Sequence, residues 1–241
     1  MNTMGPRILL SALRRKSNHD QERIEELSRF IERALHRERK QRVSHAAKEL
    51  ENVVDDYQSG FLAECHAEDI FQVETDFPRL QRYALFVSLM GMVEANIVAI
   101  CRVTHKIFNT EKVFNERGFC VILRGVKHLE DEVGIDTSQL RYYIGLIDNL
   151  IRVRNCITHA EGSLKNRNDA ATIKEFATDI PTLTVDERNH LVLSKGFVEN
   201  STHEMHTFLD RLHDAISKKL NDQQSISPLP RTRDGRSEGK R

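Results

Sequence analysis

Within Arg154-Asn155-Cys156-Ile157-Thr158-His159, a permanent cation, a carboxamide and an imidazole fall inside six consecutive residues. These groups suffice for breaking an RNA phosphodiester without a metal. The ribose 2′-hydroxyl serves as nucleophile, so the protein has only to move a proton and stabilise extra negative charge on phosphorus. An imidazole titrates near neutrality, which suits His159 to the first task. A guanidinium binds phosphate oxygens through a planar fork and keeps its charge, which suits Arg154 to the second. Asn155 and His159 lie one helical turn apart, so the carboxamide can orient the ring.

An arginine separated from a following histidine by four to six residues carries little information alone, because the chain repeats it at Arg14/His19, Arg29/His36 and Arg39/His45. The setting of Arg154/His159 is different. It closes an otherwise apolar helix, Asn155 follows the arginine directly, and Ala160-Glu161-Gly162 provides a small-residue exit. Arg154 continues the apolar row Leu140, Ile144, Ile147, Ile151, which puts a charge where the pattern would bury an aliphatic side chain. Such a charge requires a partner. Five steps of about 100° set His159 about 140° round from Arg154, so two copies packed about a two-fold axis would bring both pairs together. Asp148, two turns before Asn155, is a candidate support, and Arg141, Arg152, Lys165 and Arg167 are candidates for contacts to an RNA backbone.

The elements that must position these groups are helical in pattern. Residues 1–19, with Gly5, Pro6 and the basic Arg14-Arg15-Lys16, lack clear periodicity and are expected to form a loosely held, flexible arm. From Asp20, a candidate N-cap, a sparse apolar set (Ile24, Leu27, Ile31, Leu35, then Val43, Ala46, Leu50) predicts a helical extension over 20–77, interrupted at Gly60. So thin a stripe suggests packing against a partner chain. Asp76-Phe77-Pro78 predicts a helix start, and Leu80 to Phe108 is apolar nearly all round, with Ala84, Ser88, Gly91 and Ala95 along it, as a central helix would be.

A further helix is predicted from about Gly118 to a stop at Gly134, and Asp136-Thr137-Ser138 opens the helix that carries the motif and ends at Gly162. A short helical piece around Ala170 to Phe176 follows. The rhythm then changes to period two at Leu183/Val185 and Leu191/Leu193, predicting a small β-hairpin. A last amphipathic helix from about Ser201 buries Met205, Phe208, Leu209, Leu212 and Ile216, and residues 221–241, rich in Ser, Pro, Gly and Arg, are expected to be a disordered basic tail.

Composition sets the class. Of 241 residues, 36 are Lys or Arg and 36 are Asp or Glu, so no global positive field exists and any RNA contact must be local. With 30% charged residues, no Trp, 11 Gly and 5 Pro, the chain is expected to be all-α in the main. Cys65, Cys101, Cys120 and Cys156 form no CxxC pair and read as buried thiols in a reducing, cytoplasmic compartment. The longest apolar run is broken by Ser88, Glu94 and Asn96, so no membrane span is expected.

The segment from Leu150 to Gly162 resembles the motif helix of the HEPN superfamily, whose ribonuclease members carry an arginine, often followed by asparagine, and then a histidine near a helix end. The resemblance implies a helical bundle working as a homodimer, with RNA as substrate and no cofactor or metal. Similar bacterial members continue into a short hairpin and a closing amphipathic helix, as residues 182–220 do here, and carry a glutamate in an earlier central helix, for which Glu94 is the candidate. The resemblance covers residues 78–220, and residues 1–77 match no part of it. Members include toxins with a cognate antitoxin, antiviral ribonucleases and proteins without activity, so a non-catalytic helical dimer binding RNA or a regulatory protein partner stays open.

Structural roles stay open too. A histidine near a helix C-terminus is favoured by the dipole, and an arginine can pair with a carboxylate such as Glu94 simply to hold a bundle together. Elsewhere, His203, His206, Asp210 and His213 share one helical face at tolerable metal-ligand spacing, but that face lies beside an apolar stripe and lacks the HExxH order, so no metal site is expected there.

Overall fold

The computed structural model describes residues 5–226. Helix α1 (Pro6–Glu51) begins with proline at its first position, where the missing N–H costs nothing. Residues 6–19, expected as a loose arm, are therefore its first turns, and Asp20 lies inside the helix. The reason is a seam that hydropathy hides: Leu10, Ser17, Gln21 and Ser28 are all buried, at helical spacing, and three of the four are polar. The stripe faces the chain's own α3 (Phe77–Phe108) and α7 (Phe197–Ile226), not a partner. Polar clamps complete the contact. Arg82 reaches Glu32 through two nitrogens at 2.7 and 3.0 Å, Ser28 donates to Glu199 at 2.9 Å, and Arg14 pairs with Asp210 and Asp214 at 2.9 and 2.8 Å.

The break after α1 falls at residues 52–55 instead of Gly60, which sits within α2 (Asp56–Phe71). Asp55 caps α2 by accepting the Gln58 N–H at 2.8 Å. Helix α3 begins at Phe77 with Pro78 in its first turn, as the pattern predicts, but the chain enters it without leaving the helical path. A π turn over Gln72–Asp76, in which the Phe77 N–H bonds to the Gln72 carbonyl, widens the ladder ahead of the proline and lets α2 run on into α3. This helical run, Asp56–Phe108, is long and apolar enough to cross a membrane by length and composition, and half of its apolar window is buried inside the protein.

Helix α3 is the centre of the core, with Phe86, Leu89, Met90, Val93 and Ile97 fully buried. Against it pack α4 (Val121–His128, prolonged by a π turn to Val133), α5 (Arg141–Ala160, preceded by a 3-10 turn) and α7. Gly125 sets the α3–α4 approach, since a Cβ there would sit 2.2 Å from Ile97 Cγ2. Helix α6 (Ala170–Asp179) leads into the antiparallel hairpin of β1 (Leu183–Val185) and β2 (Leu191–Leu193), with Leu183 opposite Leu193. Among the described residues the fold is mainly α with one hairpin before α7, as the patterning predicts. Helix α7 starts at Phe197, before the expected Ser201, because Phe197 and Val198 are themselves buried. It carries residues 221–226, expected as tail, as its last turns; the rest of that tail lies outside the described residues. Cys101 and Cys156 are buried, whereas Cys65 and Cys120 are exposed, which corrects the reading of all four as core thiols.

Candidate functional site

The motif closes α5, and the geometry of that ending is held from two other elements. The chain leaves the helix through Glu161 (φ 50°) and Gly162 (φ 82°), with the Gly162 N–H bonded to the Cys156 carbonyl at 3.1 Å. The Gly162 carbonyl accepts the Leu191 N–H of β2 at 2.8 Å, and the Tyr83 hydroxyl of α3 donates to the Leu191 carbonyl. A Cβ at position 162 would stand 2.2 Å from Tyr83 Oη, so only glycine lets the three elements meet. Burial pushes the Tyr83 phenol up to about 12, which keeps it a donor at neutral pH. Sequence reading missed Tyr83; the available signal was a phenol in an otherwise apolar helix, which needs a partner when buried.

Arg154 emerges from α5 beside α3. Its Nη2 lies 2.5 Å from Glu94 Oε1 and its Nη1 donates to Asn155 Oδ1 at 3.0 Å. The two charged side chains are 24% and 25% exposed, so the pair is mostly, not wholly, withdrawn from water. The partner that the helical pattern demanded for Arg154 is thus Glu94. Asn155, expected to orient the imidazole, turns its oxygen to the guanidinium instead. His159, one turn on and next to the last residue of α5, is exposed. Thr158 between them donates back to the Arg154 carbonyl at 3.0 Å.

The remaining candidates do not all converge. Asp148 binds Arg152 at 2.9 Å along the same helix, and Arg167 is held by Asp169 at 2.8 Å. The Arg167 hydrogen bonds, with Arg152 nearby, hold the Asp169 carboxyl below its usual range. Two of the four expected RNA-contacting cations are therefore already neutralised by aspartates. Lys165 and Arg141 are exposed and in no ion pair among the described residues. Arg141 opens the helix about 20 Å along its axis from Arg154, so it would meet a different part of any bound strand. A groove of about 1250 Å³ lies elsewhere, lined by Arg29, Arg33, His36 and Arg37 of α1 with Lys195 and Glu199.

The set His203, His206, Asp210 and His213 does not converge on one point, although His206 Nε2 stays 3.8 Å from Asp210. Asp210 is taken by Arg14, His203 faces solvent, and His213 is 2% exposed beneath α1. Burial, aided by the Arg14 charge, lowers the His213 imidazole to about 4.

Comparison of the chain with family models, with curated proteins and with solved structures finds no match in any of the three.

Proposed function

We propose that this chain is a metal-independent endoribonuclease of HEPN type, acting in the cytoplasm as a homodimer in the manner of a toxin or an antiviral effector. One observation carries the reading: a guanidinium held between Glu94 and Asn155 stands at the end of a core helix, with an exposed imidazole one turn beyond it. In the reaction, His159 withdraws the proton of the ribose 2′-hydroxyl as its oxygen bonds to phosphorus. The bond to the 5′-oxygen breaks, and a proton is returned to that leaving oxygen. Arg154 stabilises the charge that builds on the phosphoryl oxygens, and Asn155 and Glu94 keep its fork aimed. The paired copy supplies a second imidazole across the two-fold axis.

The Glu94–Arg154 pair favours a second reading. A guanidinium already satisfied by a carboxylate can simply cement α3 to α5, leaving a non-catalytic dimer that binds RNA or a regulatory protein through the same face. Labelled RNA incubated with wild type and with His159→Ala in EDTA separates the two. Cleavage that survives chelation and disappears in the variant supports the enzyme; uncut RNA with both proteins, across structured and unstructured substrates, supports the scaffold.

A further inference from the structure

We infer a divalent-cation site, of the kind that takes Zn²⁺, between α1 and α2, formed by His45, Glu49 and His66. It is independent of the nuclease reading and shares no residue with it. His45 and Glu49 stand one turn apart on α1 and present their side chains to the same flank. His66 arrives from α2, which folds back after the turn at residues 52–55. The ligand atoms of the three all lie within 4.8 Å of one another. Glu49 Oε2 is 2.9 Å from His66 Nε2 and 3.6 Å from His45 Nδ1. Bonds of about 2.0–2.1 Å in a tetrahedral shell set neighbouring ligand atoms about 3.3 Å apart, a value those two separations bracket.

Two features argue that the cluster is more than a surface ion pair. The first is the state of His66. Its Nε2 is buried and makes no hydrogen bond, although the Glu49 carboxylate oxygen is 2.9 Å away. A buried polar nitrogen without one is costly, and a metal bond satisfies it. The second is the position of His66 in its helix. Helix α2 buries no residue fully, and its inward stripe is only Ser59, Leu62, His66 and Ile70. An imidazole at the middle of so thin a seam contributes little as packing and much as a ligand that ties the two helices together. Two imidazoles and one carboxylate are a donor set suited to a borderline cation, with a solvent molecule completing the shell from the groove of about 340 Å³ that His45 and His66 line with Asp69. Arg42 also lines this groove, and its charge is answered by Glu38 at 2.9 Å and the Asp69 carbonyl at 3.1 Å.

Calorimetric titration of Zn²⁺ into the full chain, freed of metal beforehand, tests the site, with thermal melting as a second readout. The expected result is one Zn²⁺ per chain, a melting temperature raised by the metal, and affinity weakened at least tenfold in both His66→Gln and His45→Gln. His45 is exposed, so its variant keeps the fold should His66→Gln lose it. The double variant His203→Gln/His206→Gln is expected to bind as wild type. No Zn²⁺ binding by wild type, equal affinity in the His45 variant, or loss of binding in the His203/His206 variant would each overturn the assignment.

Discussion

Glu94 of α3 and Arg154 of α5 meet at 2.5 Å, and this pair is the charged link between the core's central helix and the helix that carries the motif. Because each side chain is only about a quarter exposed, their separation is felt both in stability and in where the guanidinium points. Glu94→Ala is expected to lower stability by about 1–3 kcal/mol, since it leaves a mostly buried cation short of a partner, and Glu94→Gln by less than half of that. Urea denaturation at neutral pH measures both. A Glu94→Ala protein as stable as wild type would mean the pair contributes nothing.

His159 is exposed, so its removal should separate chemistry from folding. His159→Ala is expected to leave the unfolding free energy unchanged within about 0.5 kcal/mol while lowering RNA cleavage at least a hundredfold. A variant that unfolds in step with its loss of activity would assign His159 to the scaffold.

Gly162→Ala faces two obstacles, a backbone at φ 82° and the Tyr83 hydroxyl in the space of its new methyl group. The substitution should destabilise by about 1–3 kcal/mol. Tyr83→Phe removes a donor from the buried end of α3 and leaves the Leu191 carbonyl to find another, at a cost of about 1–3 kcal/mol. Amide exchange would show β2 and the last turn of α5 loosening together in either variant. Exchange that rises in only one of the two would break the proposed link through Gly162.

Stability should also carry the signature of His213. Its folded pKa of about 4 lies below the ordinary value of 6.5, because burial and Arg14 oppose the charge more than Asp210 and Asp214 favour it. The unfolded chain therefore binds a proton that the folded chain refuses between those two values. Stability is full above pH 6.5 and falls as pH drops toward 4, by up to about 1.4 kcal/mol per pH unit from this group. His213→Leu should flatten the slope of unfolding free energy against pH in that window. An unchanged slope would show that His213 takes up its proton without cost.

Much of the fold was legible because helices and hairpins are written in short-range periodicity. The apolar rows of α3 and α5 and the alternation at Leu183/Val185 and Leu191/Leu193 mark elements whose hydrogen bonds close within a few residues. Boundaries failed where packing overrode a local signal. Pro78 marks the start of α3, yet a π turn just before it joins α2 to α3 without the break that such a start suggests. Ser17, Gln21 and Ser28 fall outside the apolar row that predicts the helical extension, yet they line the buried seam of α1. Hydropathy scores a side chain against water and is blind to the helix that covers it.

By itself the sequence determined a mainly helical chain, the place of Arg154, Asn155 and His159 at one helix end, and the need of Arg154 for a counter-charge. Only the tertiary structure decided that Glu94, 60 positions earlier, meets that need, that Asn155 serves the guanidinium, and that His66 comes back to His45 and Glu49. Backbone hydrogen bonding and side-chain spacing act over one or two turns, so they are inscribed in neighbouring residues. Which charge finds which partner depends on how whole helices settle against one another to exclude water, and that is a property of the packed core.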